Sequence, residues 1–182
     1  MNSNFELINE LKSLLQGSDA RLRKHWAERI VSENIPVSSL LVLLHGHEKT
    51  AQRFTWLIGD LLEVEPAAVQ ECLPVLFELR DQMPFPGMQR TVGKCLWYLG
   101  VPVEMEADAI PLMFKWLDDN QFEVSIKHYA AKVLYDLAIE DRIDVKKFGR
   151  VLKKQTQHPT KAHANRMLKL RLKLLKMVAK KT

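Results

Sequence analysis

The sequence predicts an all-α chain of stacked helical hairpins, and three observations carry the prediction. Leu61, Leu99, Leu137 and Leu175 recur 38 residues apart, and the same interval relates Ile58, Leu96, Leu134 and Leu172, then Phe54, Val92, Ala130 and Leu168. A fourth column, Leu57, Cys95, Val133 and Arg171, breaks only in its last member, so 15 of the 16 positions are apolar in a chain that is 47% hydrophobic. Within each copy the positions stand at i, i+3, i+4 and i+7, one stripe of an α-helix. The breaks between helical stretches carry residues that stop helices: Pro66, Pro84-Phe85-Pro86-Gly87, Gly100-Val101-Pro102 and Pro159. No segment sustains the period of two that a half-buried strand needs.

The elements follow in order. Residues 4–16 put Phe5, Ile8, Leu11, Leu14 and Leu15 on one face, and Gly17 closes the helix. Ser18 or Asp19 caps a second helix reaching about residue 33, with Leu22, Trp26 and Ile30 inward, and Asn34 and Pro36 end it. Four pairs come next, 37–45 with 49–64, 66–82 with 88–99, 105–119 with 123–140, and 144–156 with 160–180, for about ten helices in all. Pro74 and Pro111 fall within helical patterns 37 residues apart. Each either kinks the first helix of its hairpin or marks a helix that begins late. The whole chain, 1–182, reads as a single domain: an N-terminal hairpin (1–36), repeats (37–140) and a basic C-terminal capping hairpin (141–182).

Composition bounds the function. The net charge of +5 is the difference between residues 1–145, with 14 Lys+Arg against 22 Asp+Glu, and residues 146–182, with 13 Lys+Arg and no carboxylate. A basic end of this kind suits an anionic partner or complements acidic neighbours on its own body. Cys72 and Cys95 are the only cysteines; both lie beside leucines and read as small buried hydrophobes of a reducing compartment, with a disulfide between adjacent helices as the alternative. No apolar run approaches the roughly 20 residues of a membrane span, and the first residues lack a signal-peptide pattern. A cytoplasmic location is expected.

The third copy, with Pro111, Asp118-Asp119-Asn120, Ile126-Lys127, Ala130-Ala131, Val133-Leu134 and Leu137, resembles the HEAT and armadillo-type repeats. The second keeps Pro74, Asp81, Arg90, Gly93, Leu96 and Leu99, and the first keeps Arg53, Leu57, Ile58 and Leu61. The resemblance covers about residues 37–180. It implies a right-handed α-solenoid of about five hairpins whose second helices line a concave ridge. That register would place Arg90, Lys94, Trp97, Tyr98, His128, Lys132 and Tyr135 on the ridge, where cations beside aromatics can hold phosphate and stack a ring. The aromatics Trp56, Trp97 and Tyr135 equally suit packing between helices.

The last helix has the sharpest local pattern. Arg166, Lys169, Lys173, Lys176 and Lys180 are spaced three, four, three and four apart, one basic stripe. Opposite it lies a wide apolar arc from Met167 to Val178, interrupted only by Arg171. The helix could be a solvated cap with Arg171 paired to a carboxylate of the body, a nucleic-acid or polyanion surface, a homodimer or partner interface, or a membrane-surface helix.

His45-Gly46-His47-Glu48 is explained by a polar turn before a helix better than by a metal site, and His25, His128, His158 and His163 are scattered singly as exposed or capping residues. No phosphate loop, nucleophile elbow or paired acid/base motif is present, so neither a catalytic residue nor a cofactor is assigned. The HEAT-like resemblance extends by residue type to alkylpurine DNA glycosylases, for which Trp56, Trp97, Tyr135, Arg90, Lys94 and Asp136 would line the groove. The leading expectation is a non-catalytic scaffold that binds a protein through the solenoid ridge, with nucleic-acid binding through the C-terminal helix as the alternative.

Overall fold

A computed structural model describes residues 3–17 and 19–181, without the side chains of 3–5 and 181. The expected roles of Phe5 and Ser18 lie outside the described residues. Among those described, the chain forms nine α-helices: α1 (Ser3–Leu14), α2 (Ala20–Ser32), α3 (Glu48–Val64), α4 (Leu73–Leu79), α5 (Gly87–Leu99), α6 (Glu106–Asp118), α7 (Val124–Ile139), α8 (Val145–Gln155) and α9 (Lys161–Lys181). Three 3₁₀ segments, Val37–His45, Pro66–Cys72 and Val103–Met105, connect them. None of the described helices is long and apolar enough to cross a membrane. The chain divides into two compact units, Met1–Leu99 and Gly100–Thr182.

Local chemistry sets the helix ends. Asp19 caps α2 by accepting from the Arg21 and Leu22 amides, and Asp144 caps α8 by accepting from those of Lys146 and Lys147. Helices α2 and α7 end alike. Asn34 (φ 53°) and Asp141 (φ 59°) take the left-handed conformation. The following amide then reaches back to the helix, Ile35 to Ile30 and Arg142 to Leu137, each at 2.9 Å. The expected helix at 37–45 is 3₁₀ throughout. The expected helix at 66–82 is a 3₁₀ segment followed by α4, in whose first turn Pro74 has no amide bond to lose. Pro111, by contrast, lies inside α6.

In Met1–Leu99 the centre is α3. It packs against α2, α5 and both long 3₁₀ segments, and it buries Ala51, Phe54, Leu57, Ile58, Leu61 and Leu62. Arg53 at its start donates to the carbonyls of Leu15 (2.9 Å) and Gln16, closing the end of α1. Cys72 and Cys95 are free and fully buried, and burial pushes their thiols up to about 11 and about 12.

In Gly100–Thr182, α6 packs on α7 and α8, and α9 packs on α7 and α8, around Met113, Trp116, Leu117, Leu134 and Phe148. Arg142, just past α7, ties back to Glu106 in the first turn of α6 and to the Val101 carbonyl. Lys127 is fully buried and donates to the Leu117 carbonyl at the end of α6, at 3.0 Å.

These packings correct the right-handed α-solenoid and the HEAT/armadillo resemblance. A solenoid hairpin stacks on its neighbour in a constant register. Here α3 reaches across to α5, α6 to α8 and α7 to α9, so each unit closes as a compact bundle. The register also fails where the resemblance needs it. Leu61, Ile58, Leu96, Leu134 and Leu137 are buried as the lattice requires, but Leu168, Leu172 and Leu175 are 43%, 50% and 51% exposed. Helix α9 instead buries His163, Met167 and Leu174, a face rotated by about one residue step of 100°. With no solenoid there is no concave ridge, and the scaffold function drawn from it falls too.

The rotation has a measurable consequence. Leu134→Ala should cost about 2–5 kcal/mol in chemical denaturation, whereas Leu172→Ala, its counterpart 38 residues on, should stay within about 0.5 kcal/mol. Equal losses would restore the lattice register for α9.

Candidate functional site

Because Lys127 is committed to the end of α6, the next residues of α7 face elsewhere. His128, Ala131 and Lys132, at i, i+3 and i+4, form one wall of a groove of about 150 Å³. The other wall is α9, which contributes Arg166, Lys169 and Lys173 beside Met167 and Leu170. Ala131 and Met167 are buried and form an apolar floor. Four permanent cations and one histidine thus converge, and no carboxylate among the described residues lines the groove. The His128 pKa is lowered first by burial, then by the neighbouring charges of Arg166 and Lys132.

A second histidine supports the α9 wall from below. His163, one turn before Met167, is 1% exposed and pairs through Nε2 with Gln155 Oε1 of α8 at 3.1 Å. His158 stands edge-on to its ring, with centroids 4.7 Å apart, and its Nδ1 accepts from the Thr160 amide. Burial, followed by the charges of His158 and Lys127, pushes His163 down to about 4. The expectation of an exposed or capping residue therefore holds for His158 and fails for His163. His47 caps α3 by accepting from the Lys49 amide, and no cluster of metal-ligating side chains occurs among the described residues.

The structure brings together residues that the sequence assigned to separate surfaces. His128 and Lys132 came from the presumed ridge, and Arg166, Lys169 and Lys173 from the basic stripe. Lys176 and Lys180 continue the stripe along exposed α9. Tyr135 is half-buried on α7 outside the groove lining, and so is Asp136, whose pKa is raised by burial. The remaining ridge candidates belong to Met1–Leu99. There Lys94 bonds the Gly59 carbonyl and Glu63, both at 2.7 Å, beneath the Tyr98 ring, and Trp97 meets Tyr98 edge-on. Arg90 is half-buried. Trp56 lies under the Arg23 guanidinium, which also pairs with Asp60. Lys94 and Trp56 thus make their contacts within their own unit.

Sequence reading missed Gln155 and His163. Their only signal was two polar residues eight apart flanking the Pro159 turn. Arg171, which the solvated-cap alternative paired with a carboxylate, makes no salt bridge among the described residues and lines a different groove, between α8 and α9. Compared with protein-family models, with curated proteins and with solved structures, the chain finds no match.

His163 predicts an acid sensitivity. The folded state keeps it neutral down to about pH 4, while the unfolded chain takes up a proton near 6.5. The unfolded state therefore binds more protons between those values, and stability falls as pH drops through that window, by on the order of 3 kcal/mol. Thermal melts of His163→Gln, which keeps an amide for Gln155, should show a flatter decline from pH 6.5 to 4.5 than the natural chain. Parallel declines would assign the acid sensitivity to carboxylates instead.

Proposed function

We propose that Gly100–Thr182 binds a phosphate-bearing polyanion, a nucleic acid, through the α7–α9 groove and the basic stripe that runs on from it. The observation that carries this reading is the convergence of His128, Lys132, Arg166, Lys169 and Lys173, with no carboxylate among the described residues of the lining. Cations held this close repel one another, and a phosphate placed among them relieves that repulsion while releasing its counterions. The apolar floor supplies no hydrogen bonds of its own, so the groove reads charge and not base identity.

The length of the stripe favours a polymer over a single small anion. Arg166 to Lys180 spans 14 residues of helix, about 21 Å, which matches roughly six phosphates along one strand of a duplex. The groove itself has room for about one phosphate group. Unlike the ridge scaffold, this reading needs only α7 and α9. The two buried free thiols favour a reducing, cytoplasmic location for it.

Salt titration of duplex binding tests the proposal. Five neutralised phosphates give a slope of log affinity against log salt of roughly −4 to −5, and Lys169→Ala with Lys173→Ala should reduce it by about two. Salt-independent binding, or a slope unmoved by the double substitution, would sink the reading.

Protonation adds a second test. A phosphate in the groove offsets the burial and the charges of Arg166 and Lys132 that keep His128 neutral, so binding takes up a proton. Affinity should therefore rise as pH falls from 7.5 toward 5.5, tracking the protonation of His128, and His128→Gln should flatten that rise. A natural-chain affinity that stays constant over this range would exclude His128 from the contact.

A further inference from the structure

The other side of α9 is built for a different ligand. Between α8 and the C-terminal half of α9 lies an open groove of about 520 Å³. Its α8 wall includes Val145 and Gly149, and its α9 wall includes Leu174, Leu175 and Val178. The apolar surface does not stop at the groove. Leu168, Leu172 and Leu175 extend it along two turns of α9, each more than two-fifths exposed. An exposed apolar surface that continues a concave apolar groove marks an interaction site.

Gly149 leaves the α8 wall of the groove without a side chain at that point. It lies in the interior of α8, where glycine costs about 0.5–1 kcal/mol relative to alanine. The fold does not require it. A Cβ at this position would meet only Leu174 Cδ2, at 3.8 Å, an ordinary contact. The bare backbone therefore leaves room for something that approaches from outside.

Charge selects the occupant. Lys146, Arg150 and Lys153 on α8 and Arg171 on α9 rim the groove, against one carboxylate, Asp141. A second copy of this chain offers poor complementarity through the same face, because residues 146–182 hold 13 basic residues and no carboxylate. A lipid surface could meet the exposed leucines and lysines, but a flat bilayer does not enter a groove between two helices to reach the wall at Gly149. A ridge of side chains does, and helix-in-groove docking presents one at i, i+3, i+4 and i+7. We propose that the α8–α9 groove receives an amphipathic helix of a partner protein, its apolar ridge over Gly149 and its acidic flanks against Lys146, Arg150, Lys153 and Arg171. This surface is separate from the α7–α9 groove and stands without it.

The test titrates the full chain with a fluorescent synthetic peptide carrying leucines at i, i+3, i+4 and i+7 and glutamates on its flanks. A matched peptide with lysine flanks serves as the comparison. The acidic peptide should bind, shift the Gly149 and Val178 amide resonances, and bind at least about tenfold better than the lysine peptide. Gly149→Leu, which fills the groove, should weaken it by about tenfold or more, and Arg150→Glu with Lys153→Glu should reverse the preference. Four outcomes would overturn the proposal: no binding of the acidic peptide; equal binding of both peptides; a concentration-dependent doubling of mass that protects Gly149; or binding to phosphatidylserine vesicles that Leu172→Ser abolishes while peptide binding ignores Gly149→Leu.

Discussion

Lys127 is fully buried in Gly100–Thr182, and its ammonium donates to the carbonyl of Leu117 at 3.0 Å. Burial lowers its pKa, and the nearby Asp118 and Asp119 act in the opposite direction. A cation so placed fixes its own helix. If α7 rotated by one residue or slid by one turn, the ammonium would lose its acceptor and face apolar side chains, a loss that packing could not offset. The remaining faces of α7 follow: Ala130, Val133 and Leu134 inward, His128 and Lys132 toward α9. Arg53 plays the same part for Met1–Leu99, where its guanidinium closes the open carbonyls after α1. In both units a basic side chain near the start of one helix completes the end of an earlier one.

Much of the helical layout is legible in the sequence, because the apolar stripes of α3, α5 and α7 have one dominant register. In α9 they do not. Apolar residues there occur in two offset sets, one through Met167, Leu170 and Leu174 and the other through Leu168, Leu172 and Leu175, and the 38-residue lattice selects the second. The helix buries Met167 and Leu174 of the first, a face that also carries the pairing of His163 with Gln155. Periodicity cannot decide between two stripes on one helix; the partner helices decide. The 3₁₀ segments were illegible for a related reason, since a run such as Val37–His45 is apolar at both the i+3 and i+4 spacings.

The candidate site divides in the same way. Each row of cations could be read from spacing alone, on α7 and on α9 separately. Their meeting could not, because it depends on which side of α9 faces α7. Gly149 gave no sign of importance, since a glycine among lysines suggests only a weakened helix until the space beside it is seen. The one helix thus presents three kinds of surface around its circumference: a buried face, a row of cations and a row of leucines.

The buried thiols of Met1–Leu99 have a kinetic meaning. Cys72 and Cys95 are fully covered, and their protons are held to about 11 and about 12, so neither sulfur can act as a thiolate where it stands. An alkylating reagent reaches them only when the surrounding segments part. When the reagent outpaces closing, the rate of modification counts openings of this unit; when closing outpaces the reagent, the rate relative to that of an exposed thiol gives the free energy of that opening. The chain therefore carries, without any introduced label, its own clock for how often the core around α5 comes apart.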